Sequence, residues 1–295
     1  MALFWRVNSN ELTPLFNTEN LGFPAGDPSF IPDEYLANKE FILLRTCHSV
    51  GDWGIISAFP RLLKEKYPDC KVYLPSANLL AHMFKGFGNW NHWSAPFKNV
   101  EVVFDNNPYV DGYLDSITDE VFHDHYRIYD TTAPEVPLIQ QMLKFWQFSD
   151  NEMQKYYPEV YFSPEEVLQG GRVIEEYIGT GNFGTLLLTN TVQEYYSDST
   201  NRLLLEATQP YKDNIFFYYG SKTIEETIFK ELNTIDLSKL NLPIRIQLFI
   251  KSKATINIGY QSGVNDTISG LAPVICTPST GRLGADYLGC IKYLR

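Results

Sequence analysis

Short apolar runs and longer amphipathic segments alternate along most of this chain, and this alternation constrains the fold more than any other feature. In the first half, apolar runs typical of buried strands lie at 41–45, 71–74, 100–104 and 126–129, and helical periodicity covers 55–66, 77–84 and 138–148. Successive strand–helix–strand units form a parallel sheet with helices packed on its faces. We therefore predict an α/β fold.

The second half repeats this plan after a break rich in proline and glycine. Pro158, Pro164 and Gly170-Gly171 interrupt the segment before a short helix at 173–178, and a second glycine-containing break follows at 179–182. Beyond it we predict strands at 185–188, 215–219, 255–258 and 274–276, and helices at 203–208, 224–232, 244–250 and 264–270.

The pattern predicts two similar α/β domains joined by a hinge. Residues 1–40 show no sustained period and form an N-terminal extension that packs on the first domain. The first domain covers 41–178, including a connector, and the second covers 179–295 with a C-terminal tail. We expect two Rossmann-like domains that face a central cleft.

Composition favours a protein of the cytoplasm. Hydrophobic residues make up 44% of the 295 residues, enough for a full core, but no apolar run approaches the ~20 residues that cross a bilayer. The N-terminus lacks the basic and apolar segments of a secretory signal. Four scattered cysteines (Cys47, Cys70, Cys276, Cys290) indicate reduced thiols, with a disulfide or a catalytic cysteine as alternatives.

Acidic residues are concentrated in the first half of the chain. Residues 1–180 carry 13 Lys and Arg against 25 Asp and Glu, whereas 181–295 carry 11 against 10. This distribution offers no basic surface for a nucleic-acid backbone, so we expect no nucleic-acid partner. The near-neutral second half could accept a compact anion such as a diphosphate, although a solvated acidic surface without a partner explains the total charge equally well.

Two short stretches follow a predicted strand and lead into a predicted helix in corresponding positions of the two domains. They read H-S-V-G-D-W-G at 48–54 and Y-Q-S-G-V-N-D-T at 260–267. Loops between a strand and a helix are where open α/β sheets bind ligands. The two stretches are therefore candidates for two halves of one binding site.

Three segments resemble the heptosyltransferase family. Residues 51–72, G-D-W-G-I-I-S-A-F-P-R-L-L-K-E-K-Y-P-D-C-K-V, are similar to its N-terminal signature. P-E-V-Y-F-S-P-E-E at 158–166 resembles its connector, and Q-S-G-V-N-D-T-I-S-G-L-A-P-V-I at 261–275 resembles its loop, helix and strand in the second domain. In order and spacing the resemblance covers about residues 41–280.

The resemblance implies a GT-B-fold glycosyltransferase, in which the first domain holds the acceptor and the second holds a nucleotide-sugar donor. It assigns Asp52 as the catalytic base that removes the acceptor proton. Between two glycines, Asp52 could also lie close to a ligand. The structural alternative is that Asp52 caps the helix at 55–66.

On the acceptor side we predict that His48, Ser49, Gly51 and Trp53 contact the sugar. Trp53 could stack on a pyranose ring, whereas a packing role is its alternative. The acidic first domain favours a neutral sugar or glycan over a heavily phosphorylated lipid core.

On the donor side, backbone N–H groups of the turn at 262–265 suit a diphosphate, and the hydroxyls of the loop after the first strand could assist. Ser262 or Asn265 could instead be an ordinary helix cap. Gln261 and Asp266 depart from the Asp and His that the family usually has there, which puts ADP-heptose in doubt. The predicted donor contacts are Thr189, Asn190, Thr191, Gln261, Ser262, Gly263, Asn265 and Asp266.

The sequence points away from a metal-dependent transfer. It contains no Asp-x-Asp triplet, the pattern with which other glycosyltransferases hold a metal on the donor diphosphate. His123-Asp124-His125 would place two imidazoles on one face of a strand, but no third ligand is evident. We therefore predict neither a metal nor a cofactor besides the donor.

Three function classes follow. The first is an inverting, metal-independent transfer of a sugar from a nucleotide diphosphate to a hydroxyl of a sugar or glycan. The second is another enzyme on this plan, such as a nucleotide-sugar epimerase, which needs no acceptor. The third is a non-catalytic carbohydrate-binding or assembly protein.

Overall fold

Two six-stranded sheets organise the chain, as a computed structural model shows. The structure describes residues 3–8, 11–14, 39–44, 50–83, 99–115, 121–124, 138–188, 198–220, 222–277 and 289–294. The chain divides into a first unit of Met1–Tyr156 with Leu283–Leu288 and a second unit of Tyr157–Arg282 with Gly289–Arg295. Each unit contains one of the sheets.

The first unit is built on a parallel sheet that an antiparallel hairpin extends. Its strands are β1 (Leu3–Asn8), β2 (Glu11–Pro14), β3 (Glu40–Leu44), β4 (Lys71–Pro75), β5 (Gly112–Leu114) and β6 (Val121–Asp124). They lie in the order β2-β1-β6-β3-β4-β5. The strands from β6 to β5 pair in parallel, and β1 pairs antiparallel with both β6 and β2.

Six helices accompany this sheet among the described residues of the first unit. They are α1 (Val50–Gly54), α2 (Phe59–Lys66), α3 (Ala77–Met83), α4 (Asn99–Phe104), α5 (Leu138–Phe145) and α6 (Asp150–Met153). Buried aromatic rings fill the core beside the sheet, where Trp146 meets the edges of Phe41 at 5.8 Å and Phe59 at 6.1 Å between ring centroids.

The first unit corrects three predictions. Within the predicted N-terminal extension at 1–40, where the sequence shows no sustained period, Leu3–Asn8 and Glu11–Pro14 form two strands of the sheet. The predicted strand at 100–104 is a helix, because Val100, Val103 and Phe104 are spaced to bury one helical face. The predicted helix at 55–66 begins only at Phe59, as α2, and residues 55–58 form turns that join it to α1. The predicted strand at 126–129 lies outside the described residues.

The second unit contains a fully parallel sheet. Its strands are β7 (Phe183–Leu188), β8 (Ile215–Gly220), β9 (Thr234–Asp236), β10 (Ile256–Tyr260), β11 (Val274–Thr277) and β12 (Ile291–Tyr293). The spatial order β9-β8-β7-β10-β11-β12 is the 3-2-1-4-5-6 order of doubly wound dinucleotide-binding sheets. Every pair of neighbouring strands is parallel. The prediction of a Rossmann-like second half is confirmed.

Helices cover both faces of this sheet, so alternate side chains of its strands enter two separate cores. The α-helices are α7 (Pro164–Tyr177), α8 (Asp198–Thr208), α9 (Ile244–Lys253) and α10 (Gly263–Ile268), and short 3₁₀ turns lie at Gln209–Tyr211, Ile224–Glu226 and Leu237–Leu240. One core contains Leu186 and Phe216 with Leu204 of α8; the other contains Leu187 and Phe217 with residues of α9.

Two predictions for the second unit are corrected. Gly170-Gly171 does not interrupt the chain but lies inside α7. Glycine is needed at 170 because a Cβ there would come 2.3 Å from the Phe249 ring of α9. The predicted helix at 224–232 is a single 3₁₀ turn, since the Thr227 hydroxyl accepts a hydrogen bond from Phe229 N and competes with helix continuation.

Helix α7 belongs to the second unit, where it packs on α9. The Arg245 guanidinium of α9 binds the Glu166 carboxylate of α7 and the carbonyl of Tyr161. Partial burial raises the pKa of Glu166, but hydrogen bonds from Arg245 and Ser163 outweigh it and leave the pKa below its usual value. The second unit therefore starts at Tyr157, ahead of the predicted boundary at 178–179.

Candidate functional site

The order of strands in the second unit identifies its ligand-binding edge. From β7, the chain adds β8 and β9 on one side of the sheet and then returns to add β10, β11 and β12 on the other side. The order in which strands are added therefore reverses between β7 and β10. In open α/β sheets, ligands bind outside the carboxyl ends of the strands at this reversal. Strand β10 ends there at Tyr260 and continues into Gln261, Ser262 and Gly263.

Ser262 caps the helix that follows this strand. Its backbone is extended (φ −151°, ψ 154°), and its hydroxyl oxygen accepts a hydrogen bond from the Asn265 amide at 3.3 Å. The amides of Gly263 and Val264 have no intrahelical partner at this position and no acceptor among the described residues. Two N–H donors are therefore available at the carboxyl edge of the sheet, and the Ser262 hydroxyl holds their turn in place.

Asn265 faces the protein interior. It is fully buried, and its Nδ2 donates to the carbonyl of Tyr260 at 3.2 Å and lies 3.6 Å from Cys276 Sγ. The buried Oδ1 has no hydrogen-bond partner within the described part of the chain. Asn265 thus joins the end of β10 to α10 and supports the turn from its buried side.

Gln261 is held beside the edge by a hydroxyl that sequence reasoning missed. Its Nε2 donates to Tyr293 Oη of β12 at 3.3 Å, and only 7% of Gln261 is exposed. A second missed pair lies at the same strand end, where the hydroxyl of Tyr260 binds the Asn201 side chain of α8. A strand of three residues and an asparagine within a helix give too weak a sequence signal to identify either partner.

Asp266 lies on the inner side of α10. It is 7% exposed, and its charge acts on the Cys276 thiol, whose pKa is raised chiefly by burial and further by Asp266. The carboxylate is therefore directed into the sheet side of the helix.

The first unit places Asp52 at the corresponding edge of its sheet. Its inner strands repeat the same order, and the reversal falls between β3 and β6. Helix α1 follows β3 and carries Gly51 and Asp52, both half-buried. The prediction that Asp52 lies in a loop is corrected, because it occupies the first turn of α1. It does not cap α2, whose cap position is Ala58.

Trp53 has a packing role. It is fully buried, and its ring meets the Phe104 ring edge-on at 6.2 Å between centroids. A ring in this position offers no face to a sugar, so the predicted stacking contact is corrected. Its indole Nε1 is buried and has no hydrogen-bond partner among the residues that the structure describes.

Several predicted site residues lie outside the described residues, namely His48, Ser49, Thr189, Asn190, Thr191 and His125. The side chains of His123 and Asp124 are also not described. Within the described part of the chain, no group of three or more His, Cys, Asp or Glu could hold a metal ion, and no helix is long and apolar enough to cross a membrane. Arg202 and Lys222 are exposed. Of the cysteines that the structure describes, Cys70, Cys276 and Cys290 form no disulfide.

Searches for related proteins found similarity in structure but not in sequence. No protein-family profile matches the chain, and no curated protein matches it. A family 9 glycosyl transferase from Veillonella parvula is 11% identical with a TM-score of 0.49, over 86% of this chain and 85% of that one.

Two further structural neighbours come from E. coli. The ADP-heptose lps heptosyltransferase II is 11% identical with a TM-score of 0.43, over 87% of this chain and 89% of that one. The heptosyltransferase WaaC with ADP-2-deoxy-2-fluoro heptose is 9% identical with a TM-score of 0.41, over 87% and 93% of the two chains.

Proposed function

We propose that this protein is an inverting glycosyltransferase that moves a sugar from a nucleotide diphosphate to a hydroxyl of a sugar or glycan. The observation that carries the proposal is the 3-2-1-4-5-6 parallel sheet of the second unit, with hydrogen-bond donors at its winding reversal. The sequence resemblance of 51–72, 158–166 and 261–275 to heptosyltransferases gives independent support.

The second unit binds the donor in this proposal. The amides of Gly263 and Val264 donate to the diphosphate, and the Gln261 amide, fixed by Tyr293, contacts the nucleotide beside it. Neutral donors of this kind can stabilise a leaving diphosphate without a metal ion when they are held rigidly. The rigidity comes from the Ser262 cap and the buried Asn265 bond to Tyr260.

The first unit supplies the base. As the bond between the anomeric carbon and the diphosphate oxygen breaks, the acceptor oxygen attacks from the opposite face and loses its proton. Asp52 accepts that proton, because a half-buried carboxylate in the first turn of a helix at the sheet edge can face a ligand. The configuration at the anomeric carbon is inverted by this single displacement.

A ligand panel tests the proposal. Thermal unfolding is measured with ADP, GDP, UDP and their sugar conjugates, each at a concentration near 100 times its dissociation constant, where binding adds about 2.7 kcal/mol to stability. Stabilised pairs are then incubated with and without candidate sugar acceptors, and products are analysed by mass spectrometry.

We expect one nucleotide series to stabilise the protein and its sugar to be consumed only when an acceptor is present. Conversion of the nucleotide sugar without an acceptor would replace transfer with an epimerase-type reaction. The absence of stabilisation by every nucleotide would contradict the donor site and favour a non-catalytic carbohydrate-binding protein.

A further inference from the structure

A lysine lies in the interior of the second unit, whereas lysine side chains are usually exposed at the surface of a protein. Lys251 is the eighth residue of α9 and is only 1% exposed. Lysine is almost never fully buried unless a counter-charge accompanies it. The surroundings of its amine therefore decide in which protonation state it is held.

Among the described residues, the Lys251 amine has one oxygen partner. Lys251 Nζ donates to Thr185 Oγ1 of β7 at 2.8 Å and lies 5.1 Å from the centroid of the Tyr219 ring of β8. It forms no ion pair with any described residue. An ammonium group has three N–H donors, so the charged form would leave two of them without an oxygen acceptor in a buried site.

This contact belongs to a chain of buried hydrogen bonds. Thr185 Oγ1 donates to Asn257 Oδ1 of β10 at 2.6 Å, and Asn257 Nδ2 donates to the Lys251 carbonyl at 3.0 Å and to the Pro273 carbonyl at 3.3 Å. These hydrogen bonds therefore join the last turn of α9 to the strands β7 and β10 and to Pro273, the residue that precedes β11. The neutral amine has two N–H donors instead of three, so it leaves fewer buried donors without an acceptor than the ammonium does.

The titratable groups around Lys251 do not compensate for a charge. Burial lowers the pKa of Lys251 to about 7, and the Cys276 thiol of β11 opposes this shift only partly. Asp266 of α10 acts on that thiol, and Glu166 of α7 is bound to Arg245 at the other end of α9. Strand β8 contributes the Tyr219 phenol, and burial raises the pKa of this phenol, which keeps it uncharged. Strands β7 and β10 contribute the uncharged Thr185 and Asn257.

We propose that protonation of the Lys251 amine weakens the attachment of α9 to its sheet, so that opening of this helix in the second unit is controlled by pH. The neutral amine keeps the hydrogen-bond chain intact. The ammonium form is stabilised by leaving the core for water, which separates the last turn of α9 from Thr185. This inference is independent of the proposed function.

The direction of the effect follows from the two protonation states. An exposed lysine holds its proton up to about pH 10.4, whereas the buried amine loses it above about 7, so the open form binds more protons between these values. Stability of the closed form therefore rises with pH across this window and is lowest below it. The opening constant of α9 is expected to be about tenfold larger at pH 6 than at pH 8.

Hydrogen–deuterium exchange of the full chain tests this. Exchange of the amides in 244–253 is measured at pH 6 and pH 8, corrected for the intrinsic pH dependence, in the wild type and in Lys251→Met, which replaces the amine with an apolar chain of similar length. The matched control is Lys253→Met. Lys253 lies on the same helix with its Nζ 5.4 Å from the Phe249 ring centroid, but it is exposed.

The wild type and Lys253→Met should both show the tenfold increase in opening at pH 6, and Lys251→Met should show none. Equal opening at both pH values in the wild type, or a tenfold change that persists in Lys251→Met, would overturn the proposal. If Lys251→Met does not fold, NMR titration of the lysine Cε resonances in the wild type tests the proposal instead. One resonance with a titration midpoint near pH 7 supports the proposal, and midpoints above pH 10 for all lysines overturn it.

Discussion

The two units arrange four of their strands in the same order but complete their sheets differently. Strands β5-β4-β3-β6 of the first unit correspond in order to β9-β8-β7-β10 of the second. The next two positions are filled by the parallel strands β11 and β12 in one case, and by the antiparallel hairpin β1–β2 in the other. The first residues of the chain thus complete a sheet, in the place where the second unit uses its last residues.

The chemistry at the two winding reversals also differs. The first unit presents a carboxylate, Asp52, in the helix after β3. The second presents an amide side chain and backbone N–H groups after β10 and directs its nearest carboxylate, Asp266, inward. One fold therefore offers a proton acceptor in one copy and donors for an anion in the other, which is the division of roles that transfer of a sugar from a diphosphate requires.

The largest expected effect tests this division directly. Asp52→Asn keeps the shape of the side chain but removes its ability to accept a proton, so transfer should fall by about 10²- to 10⁴-fold. Nucleotide binding, which the proposal assigns to the second unit, should not change. Glu101→Gln, a half-buried carboxylate in the first turn of α4, is the matched control and should retain activity. Unchanged transfer in Asp52→Asn would remove it from the base role.

Packing of the second unit is tested by two adjacent glycines in α7. A Cβ at Gly170 would lie 2.3 Å from the buried Phe249 ring, so Gly170→Ala should lower the free energy of unfolding by about 1–3 kcal/mol. A Cβ at Gly171 meets nothing within 4 Å, and Gly171→Ala should raise stability by about 0.5–1 kcal/mol through helix propensity. Urea denaturation measures both, and equal effects would contradict the close approach of α7 and α9.

The first unit relies more on an ion cluster at its surface. Asp111 accepts hydrogen bonds from Lys64 at 2.6 Å, Lys71 at 3.0 Å and the Val72 amide at 2.8 Å. Partial burial raises the pKa of Asp111, but these bonds outweigh it and leave the pKa below its usual value. Asp111→Asn should cost about 1–2 kcal/mol of stability at neutral pH.

The lowered pKa of Asp111 fixes the sign of the pH dependence. The contribution is present above about pH 4, the value of an unfolded aspartate, and is lost as pH falls through the lower folded value. The difference between wild type and Asp111→Asn should therefore shrink below pH 4 in denaturation experiments. Asp69→Asn is the control, because its exposed pair with Lys39 spans 4.0 Å and contributes little. A difference that does not change with pH would contradict the cluster.

The smallest expected effect concerns the turn after β10. Ser262→Ala removes the acceptor of the Asn265 amide and should cost about 1 kcal/mol of stability. It should also weaken nucleotide binding modestly, since the donors at Gly263 and Val264 lose their support. Ser269→Ala is the control for the helix itself, because the Ser269 hydroxyl donates to the carbonyl of Asp266, three residues earlier in the chain. Equal nucleotide affinity in all three proteins would show that the turn does not contact the ligand.

The sequence predicted the elements with long, consistent patterns. The buried strands β7, β8 and β10 appear as runs that are rich in apolar residues, because both of their faces lie under helices. Strands β5, β9 and β12 have three residues each, too few for any period to show. At 99–104, valines favoured a strand, and packing of Phe104 on Trp53 in the fold favours the helix instead.

The sequence predicted which segments follow the strands β3 and β10, but not the contacts that their side chains make. Strand–loop–helix spacing located 51–54 and 260–267, since these depend on local sequence alone. The inward direction of Asn265 and Asp266 and the bonds to Tyr293 and Asn201 depend on contacts between distant parts of the chain. Lys251 could not be identified either, because its charge gave no sign that its helix face would be buried.

The central claim is that the second unit binds a nucleotide diphosphate at its winding reversal, and hydrogen–deuterium exchange with the best-stabilising nucleotide tests it most directly. We predict slower exchange in peptides covering 260–268 and the start of α8 near 198–204, with α1 at 50–54 unchanged until an acceptor is added. Protection of 50–54 by the nucleotide alone, with 260–268 unaffected, would contradict the assignment of the donor to the second unit.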